Sequence, residues 1–162
     1  MKHLTSKNEA FKFQTNIRVR WSECDRQGIA FNGSYLEYLE IAQSEYFRNL
    51  GYSIYSLAQT GFFDTVIVNV ELSFLLPVKI DDILILKAKT ASMGTTSMKF
   101  EVHIFNESNQ LTTKINAVYV GYDQNKQVKK HIPADIRHLI HTFETDGLVL
   151  SKDHLPDLKK HI

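Results

Sequence analysis

The chain has 162 residues, 43% of them hydrophobic and 23% charged, with a formal net charge of +1. That is enough for one domain with a real core, and a near-neutral balance without a basic arm or stripe argues against nucleic acid as a partner. A single cysteine, Cys24, excludes an internal disulfide and fits a reducing compartment; the opening MKHLTSKNEAFKF lacks the apolar core of a signal peptide and no stretch approaches a membrane span, so a cytoplasmic location is expected.

Residues 1–9 are polar and are expected to fray. Phe11, Phe13, Ile17, Val19 and Trp21 then alternate with polar residues, which predicts a half-buried strand over 13–21. A polar loop follows. Asp25-Arg26-Gln27-Gly28 reads as a turn, because Asp can bond its own backbone and Gly frees φ; Asn32-Gly33 is a second turn signal. Ser34 has the chemistry of a helix N-cap, and Glu37 three residues on would complete a capping box. Tyr35, Leu39, Ala42, Tyr46 and Leu50 recur at steps of three and four, which predicts a long helix whose apolar face is widened by Leu36, Tyr38 and Phe47. Glu37, Glu40, Ser44 and Arg48 fall on the other side, and Gly51 stands where a left-handed C-terminal residue belongs.

Residues 52–60 could form one short helical turn. Residues 62–76 give the strongest strand signal, with Val66, Val68, Val70, Leu72, Phe74 and Leu76 on one face and Pro77 disturbing the ladder near the end. Further strands are predicted over 83–91, 97–106 and 111–122, with a tight Met93-Gly94-Thr95 connection and a polar turn over 107–110. Residues 123–130 read as a charged loop, Pro133 opens a short helix to about Phe143, and the segment from 147 onward reads as a loosely attached tail. The sum is one α+β domain spanning 1–162, with a core of about 13–142 and a polar tail over 143–162. Its single antiparallel sheet must curl around the long helix to cover so wide a stripe.

The run Val19-Arg20-Trp21-Ser22-Glu23-Cys24-Asp25-x-x-Gly28-Ile29, then Asn32-x-x-Tyr35 and Leu36-Glu37-Tyr38-Leu39-Glu40, resembles the signature of the hotdog-fold acyl-CoA thioesterases. The nearest group is that of hydroxybenzoyl-CoA thioesterase and the short-chain acyl-CoA thioesterases of bacterial envelope operons. The resemblance spans roughly 13–139 by element order and implies the hotdog fold, a sheet wrapped around a central helix. It also implies thioester hydrolysis with Asp25 as the catalytic acid, and polarisation of the carbonyl by the backbone amide at Asn32, with Gly33 beside it. The family often carries His or Tyr where this chain has Asn32. The resemblance further implies subunits that pair edge to edge, as a dimer or tetramer, with the site between them.

On the residues alone Asp25 reads first as an Asx-turn residue holding its loop; the resemblance makes the catalytic role the better reading. An ionised carboxylate could attack the thioester carbonyl or deprotonate a water, and a thiolate leaving group needs little acid help. Cys24 reads as a small apolar filler whose side chain points away from that of Asp25. Glu45 is the reserve acid, since a separate hotdog subgroup uses a helix-borne Glu, whereas Glu40 reads as a solvated helix charge. Tyr35 is a candidate substrate contact. Thr96 and Ser97 lie in a stretch that resembles the family's hairpin near the pantetheine arm, and Lys129, Lys130 and His131 are candidate partners for the phosphates. No metal site is expected: His138 and His141 share a helix face but lack further ligands. Coenzyme A enters as part of the substrate, so no separate cofactor is expected. The alternatives are a non-catalytic acyl- or CoA-binding hotdog protein, an acyl-carrier-protein thioesterase and, more weakly, a dehydratase.

Overall fold

The computed structural model describes residues 11–162; the expected fraying of 1–9 lies outside the described residues. Strand β1 (Phe13–Arg18) leads through a 3-10 turn, Trp21–Glu23, and a loop to helix α1 (Ser34–Asn49). A short helix α2 (Ile54–Thr60) follows, then β2 (Thr65–Phe74), β3 (Ile83–Met93), β4 (Ser97–Phe105), β5 (Leu111–Asp123), a two-residue β6 (Val128–Lys129) and α3 (Ala134–Asp146). Every strand pairing is antiparallel, and the spatial order is β1-β3-β4-β5-β2, with β6 added to β5. The sheet closes around α1, whose Tyr35, Tyr38, Leu39, Ala42, Tyr46 and Phe47 are buried against strand residues such as Leu84, Leu86, Phe100 and Ile115. This is the hotdog architecture, and among the described residues no helix is long and apolar enough to cross a membrane.

Several expectations change. The first strand ends at Arg18, because the chain tightens into the 3-10 turn and leaves Trp21 82% exposed. Ser34 is not the N-cap: Gly33 takes that place, and the Ser34 hydroxyl donates instead to the Glu23 carbonyl at 2.8 Å. Leu36 is exposed and Ser44 buried, so the apolar stripe is rotated slightly from the one read off the spacing. β2 and β3 are not neighbours; residues 75–82 carry the chain across the sheet from the β5 side to the β1 side. A bulge between Ile67 and Asn69 breaks the alternation along β2, and only Val70 and Leu72 of its apolar face are half-buried. The expected charged loop contains β6.

The C-terminal segment is not a loose tail. Phe143 is buried within α3, and the 3-10 turns Lys152–His154 and Leu158–His161 set Leu155 and Leu158 into the core at 2% and 1% exposure. The Asp135 carboxylate accepts from the amides of Asp157 and Leu158, at 2.7 and 2.9 Å, which ties the segment to α3. Helix α3 is in turn locked to the core, because Glu144 Oε1 accepts from the Tyr46 hydroxyl at 2.6 Å and the Thr90 amide at 2.8 Å. Leu155→Ala or Leu158→Ala is therefore expected to cost about 2–4 kcal/mol, the range for a truncated core leucine. Thermal unfolding checks this: a melting temperature unchanged by both substitutions would mean that the segment contributes nothing to the fold.

Candidate active site

The site is built where the loop after β1 meets the start of α1. Cys24 and Ala30 form an antiparallel bridge, the Asp25 amide donates to the Ile29 carbonyl at 3.0 Å, and the Gly28 amide returns to the Asp25 carbonyl at 3.0 Å. Gly28 has φ +76°, a backbone that favours glycine at this turn. Asp25 Oδ1 accepts from the Gln27 amide at 2.7 Å, the Asx-turn bond that the residue types predict. The second carboxylate oxygen has no partner among the described residues, and the side chain faces outward from the single chain. A second set of contacts, the Ala30 amide to the Val78 carbonyl at 2.8 Å and a bridge from Ile29 to Lys79, fastens the loop to the β2–β3 connection.

Helix α1 opens on three-residue bonds: Ser34 amide to Phe31, Tyr35 to Asn32 and Leu36 to Gly33. The amides of Asn32 and Gly33 meet no acceptor among the described residues. They stand at the positive end of a 16-residue helix, an arrangement suited to an oxygen that gains negative charge. Any side chain at position 33 would meet the Phe31 ring at 2.9 Å, so glycine keeps this approach open. Beside the amides lies a cleft of about 250 Å³ lined by Ile29, Ala30, Asn32, Tyr35, Phe74 and Pro77, among others. Tyr35 forms its inner wall, with its ring edge-on to Phe74 at 5.0 Å and to Tyr38 at 5.5 Å.

Beneath the loop is a buried acid that the sequence reading passed over. Glu23 is only 5% exposed. Its Oε2 accepts from the Tyr38 hydroxyl at 2.8 Å and the Arg20 amide at 2.9 Å, while Oε1 accepts from the Arg20 guanidinium at 2.6 Å. Burial pushes this carboxyl up, but the bonds from Arg20 and Tyr38 together with the Arg20 charge outweigh it, and the net shift is below the ordinary value. Burial first, then the charges of Glu23, Asp25 and Asp82, raise the Cys24 thiol, the reverse of what a thiolate nucleophile needs. The only hint of Glu23 in the sequence is its spacing of three from Arg20.

Asn32 and Tyr35 thus line one cleft, with Gly33 beside them, and Asp25 sits exposed on the loop that leads into it. Thr96, Ser97, Lys129 and Lys130 form a separate group. Register places Ser97 opposite Val120 and Thr65 opposite Gly121, whereas Phe74, beside Tyr35, is opposite Thr113. Within one chain the two groups therefore sit at opposite ends of the sheet, roughly 25 Å apart at the rise of a strand. In the second group the Thr96 carbonyl accepts from the Gly121 amide at 2.7 Å, and the Lys130 ammonium is held by the Gly61 carbonyl, which leaves Lys129 as the freer of the two lysines. Arg137, absent from the sequence-based set, reaches this end and donates to the Gly94 carbonyl at 2.7 Å. Glu45 joins neither group; it is ion-paired with Arg48 at 2.6 Å, some three turns along α1 from the loop. No cluster of metal-ligating side chains occurs among the described residues.

The chain is similar to known proteins in sequence and in fold. The family model described as the thioesterase superfamily matches residues 27–113, more than half of the chain. The acyl-CoA thioesterase YbgC of Haemophilus influenzae is 23% identical over 130 residues, covering 78% of this chain and 96% of that one. The acyl-CoA thioester hydrolase YbgC of Escherichia coli is 27% identical over 125 residues, covering 76% and 92%. Among solved structures, the DHNA-CoA thioesterase of Staphylococcus aureus superposes with a TM-score of 0.75 at 16% identity, covering 85% of this chain and 95% of that one.

Proposed function

Because the chain belongs to the thioesterase superfamily, we propose that this thioester hydrolase cleaves acyl-coenzyme A to the free acid and coenzyme A, with Asp25 supplying the carboxylate. The observation that carries the reading is the pair of open amides, Asn32 and Gly33, beside an apolar cleft at the end of the loop that carries Asp25. The thioester carbonyl would lie with its oxygen toward the amides, which stabilise the negative charge that develops there. Two routes balance. Asp25 takes a proton from a water whose oxygen adds to the carbonyl carbon; the tetrahedral oxyanion then collapses, the C–S bond breaks, and the thiolate takes up the proton that Asp25 accepted, which restores the carboxylate. Alternatively an Asp25 oxygen attacks, the thiolate leaves, and water cleaves the resulting mixed anhydride. Label entering the Asp25 side chain in a single turnover in ¹⁸O-water marks the anhydride route with water attacking the Asp25 carbonyl, and rapid acid quench with intact-mass measurement detects the acyl-enzyme whichever carbonyl water attacks.

The opposite-end placement of the two residue groups supports an assembly. Strand β2 is a sheet edge with Val66, Ile67 and Val68 exposed, and such edges are usually covered. If two β2 strands pair antiparallel about a twofold axis, the Thr96–Lys130 end of one subunit meets the Asp25 end of the other. One acyl-CoA would then be held across the interface, its thioester at Asp25 and its pantetheine arm and phosphates toward Thr96, Ser97, Lys129 and Lys130 of the neighbour. The reaction as drawn uses no cofactor, and the cytoplasm is its expected place.

A panel of acyl-CoAs of rising chain length, with aromatic acyl groups and an acyl-carrier-protein thioester alongside, tests the reading by thiol release. Turnover on CoA thioesters is expected. Binding of acyl-CoA without release would favour the non-catalytic reading, which the Asn32 side chain motivates; release from the carrier protein alone would move the substrate to that thiol.

A further inference from the structure

We infer that Glu23 is a positioning residue of this site: its carbonyl and its buried carboxylate together hold the Asp25 loop at a fixed separation from the Asn32 and Gly33 amides. The inference rests on the thioesterase reading above and goes beyond it. The Glu23 carbonyl, two residues before Asp25, accepts from the Phe31 amide at 2.8 Å and from the Ser34 hydroxyl at 2.8 Å. Phe31 and Ser34 bracket the two open amides. One carbonyl therefore holds both sides of the amide pair, and the next residue, Cys24, makes the bridge to Ala30 that leads into Asp25.

A carbonyl can fix geometry only if its own residue cannot turn. The carboxylate provides that restraint. Oε2 is bonded by Tyr38, one helical turn into α1, and by the Arg20 amide; Oε1 is bonded by the Arg20 guanidinium. The side chain is thus clamped between the end of β1 and the body of α1, while its carbonyl is clamped to the start of α1. Stability alone does not call for an acid here, since burying a carboxylate costs desolvation that an apolar side chain of similar volume would avoid. What an apolar side chain could not do is fix the carbonyl's direction through three directional bonds. The Ser34 hydroxyl, expected as a helix cap, is spent on this link instead, and the Gly33 cap makes no side-chain bond.

The test uses purified full-length protein in its native assembly and thiol release from the best acyl-CoA of the panel. Misplacing reacting groups by about 1 Å can cost about 10²-fold in rate, so Glu23→Gln is expected to lower kcat about 30-fold per folded enzyme, with KM within about twofold of the parent. Tyr38→Phe removes a single bond and keeps the ring, and is expected to lower kcat about fivefold with the same unchanged KM. A structural role without positioning would depress the melting temperature and leave kcat per folded enzyme at the parental value; that result overturns the inference. If Glu23→Gln does not fold, Tyr38→Phe decides by the same criterion. Asp25→Asn is assayed beside them. Parental turnover there sinks the hydrolytic reading itself, whereas an inactive Asp25→Asn with parental Glu23→Gln sinks only the role of Glu23.

Discussion

Asp25→Asn is expected to lower thiol release by about 10³-fold or more, within the span attributed to a positioned base or nucleophile, while native mass and melting temperature stay at the parental values. The choice of asparagine matters. Asp25 Oδ1 accepts from the Gln27 amide, and the backbone on either side is held by the Ile29 carbonyl and the Gly28 amide. An asparagine oxygen can keep the Asx-turn bond, so the loop should stand unchanged. What it removes is the ionised oxygen left over after that bond. Asp25→Ala removes both and is the harsher control. Full turnover in the asparagine variant would mean that the carboxylate does no chemistry and that Asp25 only shapes its turn. Restoration of activity by Asp25→Glu is not expected, because the longer arm moves the carboxylate relative to amides that Glu23 and Phe31 hold fixed.

The parts of the molecule visible in its residues are those whose cause is local. Helix α1 shows itself because five apolar residues at steps of three and four, from Tyr35 to Leu50, demand a single covering surface, and the sheet provides it. β4 shows itself because alternation survives along it, every second residue from Met98 to Ile104 being buried, and β3 keeps the same alternation from Ile83 to Ala88. The loop was legible for the same reason, since Gly28 and Asn32-Gly33 constrain their own backbone. What stayed hidden depends on partners far along the chain. Ser34 has good capping chemistry, but the Glu23 carbonyl eleven residues earlier competes for its hydroxyl and wins. Glu23 looks like one more surface acid until the Tyr38 hydroxyl, fifteen residues on, arrives beside it. Leu155 and Leu158 are too sparse to announce a periodic face, and Asp135 secures them from another helix. The position of β2 next to β5 could not be read from order alone, because a crossover and a hairpin begin with the same strand. That position separates the two halves of the candidate site.

Val68→Asp is expected to convert the native assembly to single chains and to reduce thiol release at least about tenfold, although every residue named at the site is left in place. Val68 is 58% exposed and adjoins the bulge at the outer edge of the sheet, so a charge there has little to disturb within the chain. Across a twofold axis the same substitution places like charges close together along two paired edges, which disfavours pairing. Light scattering after size exclusion reads the mass, and thiol release on the same fractions reads the activity. One outcome counts against the composite site. If the variant is monomeric and fully active, a single chain holds the whole substrate, and Thr96, Ser97, Lys129 and Lys130 serve some other end. If it is monomeric and inactive but also melts far below the parent, the second measurement is made on Ile67→Asp, on the other side of the strand and 46% exposed. The physical reason to expect loss is distance. The register of β2 and β5 sets Phe74, beside Tyr35, and Thr65, opposite Gly121, at opposite ends of one sheet, and in the proposed assembly a neighbour running the other way would bring the two ends to one thioester.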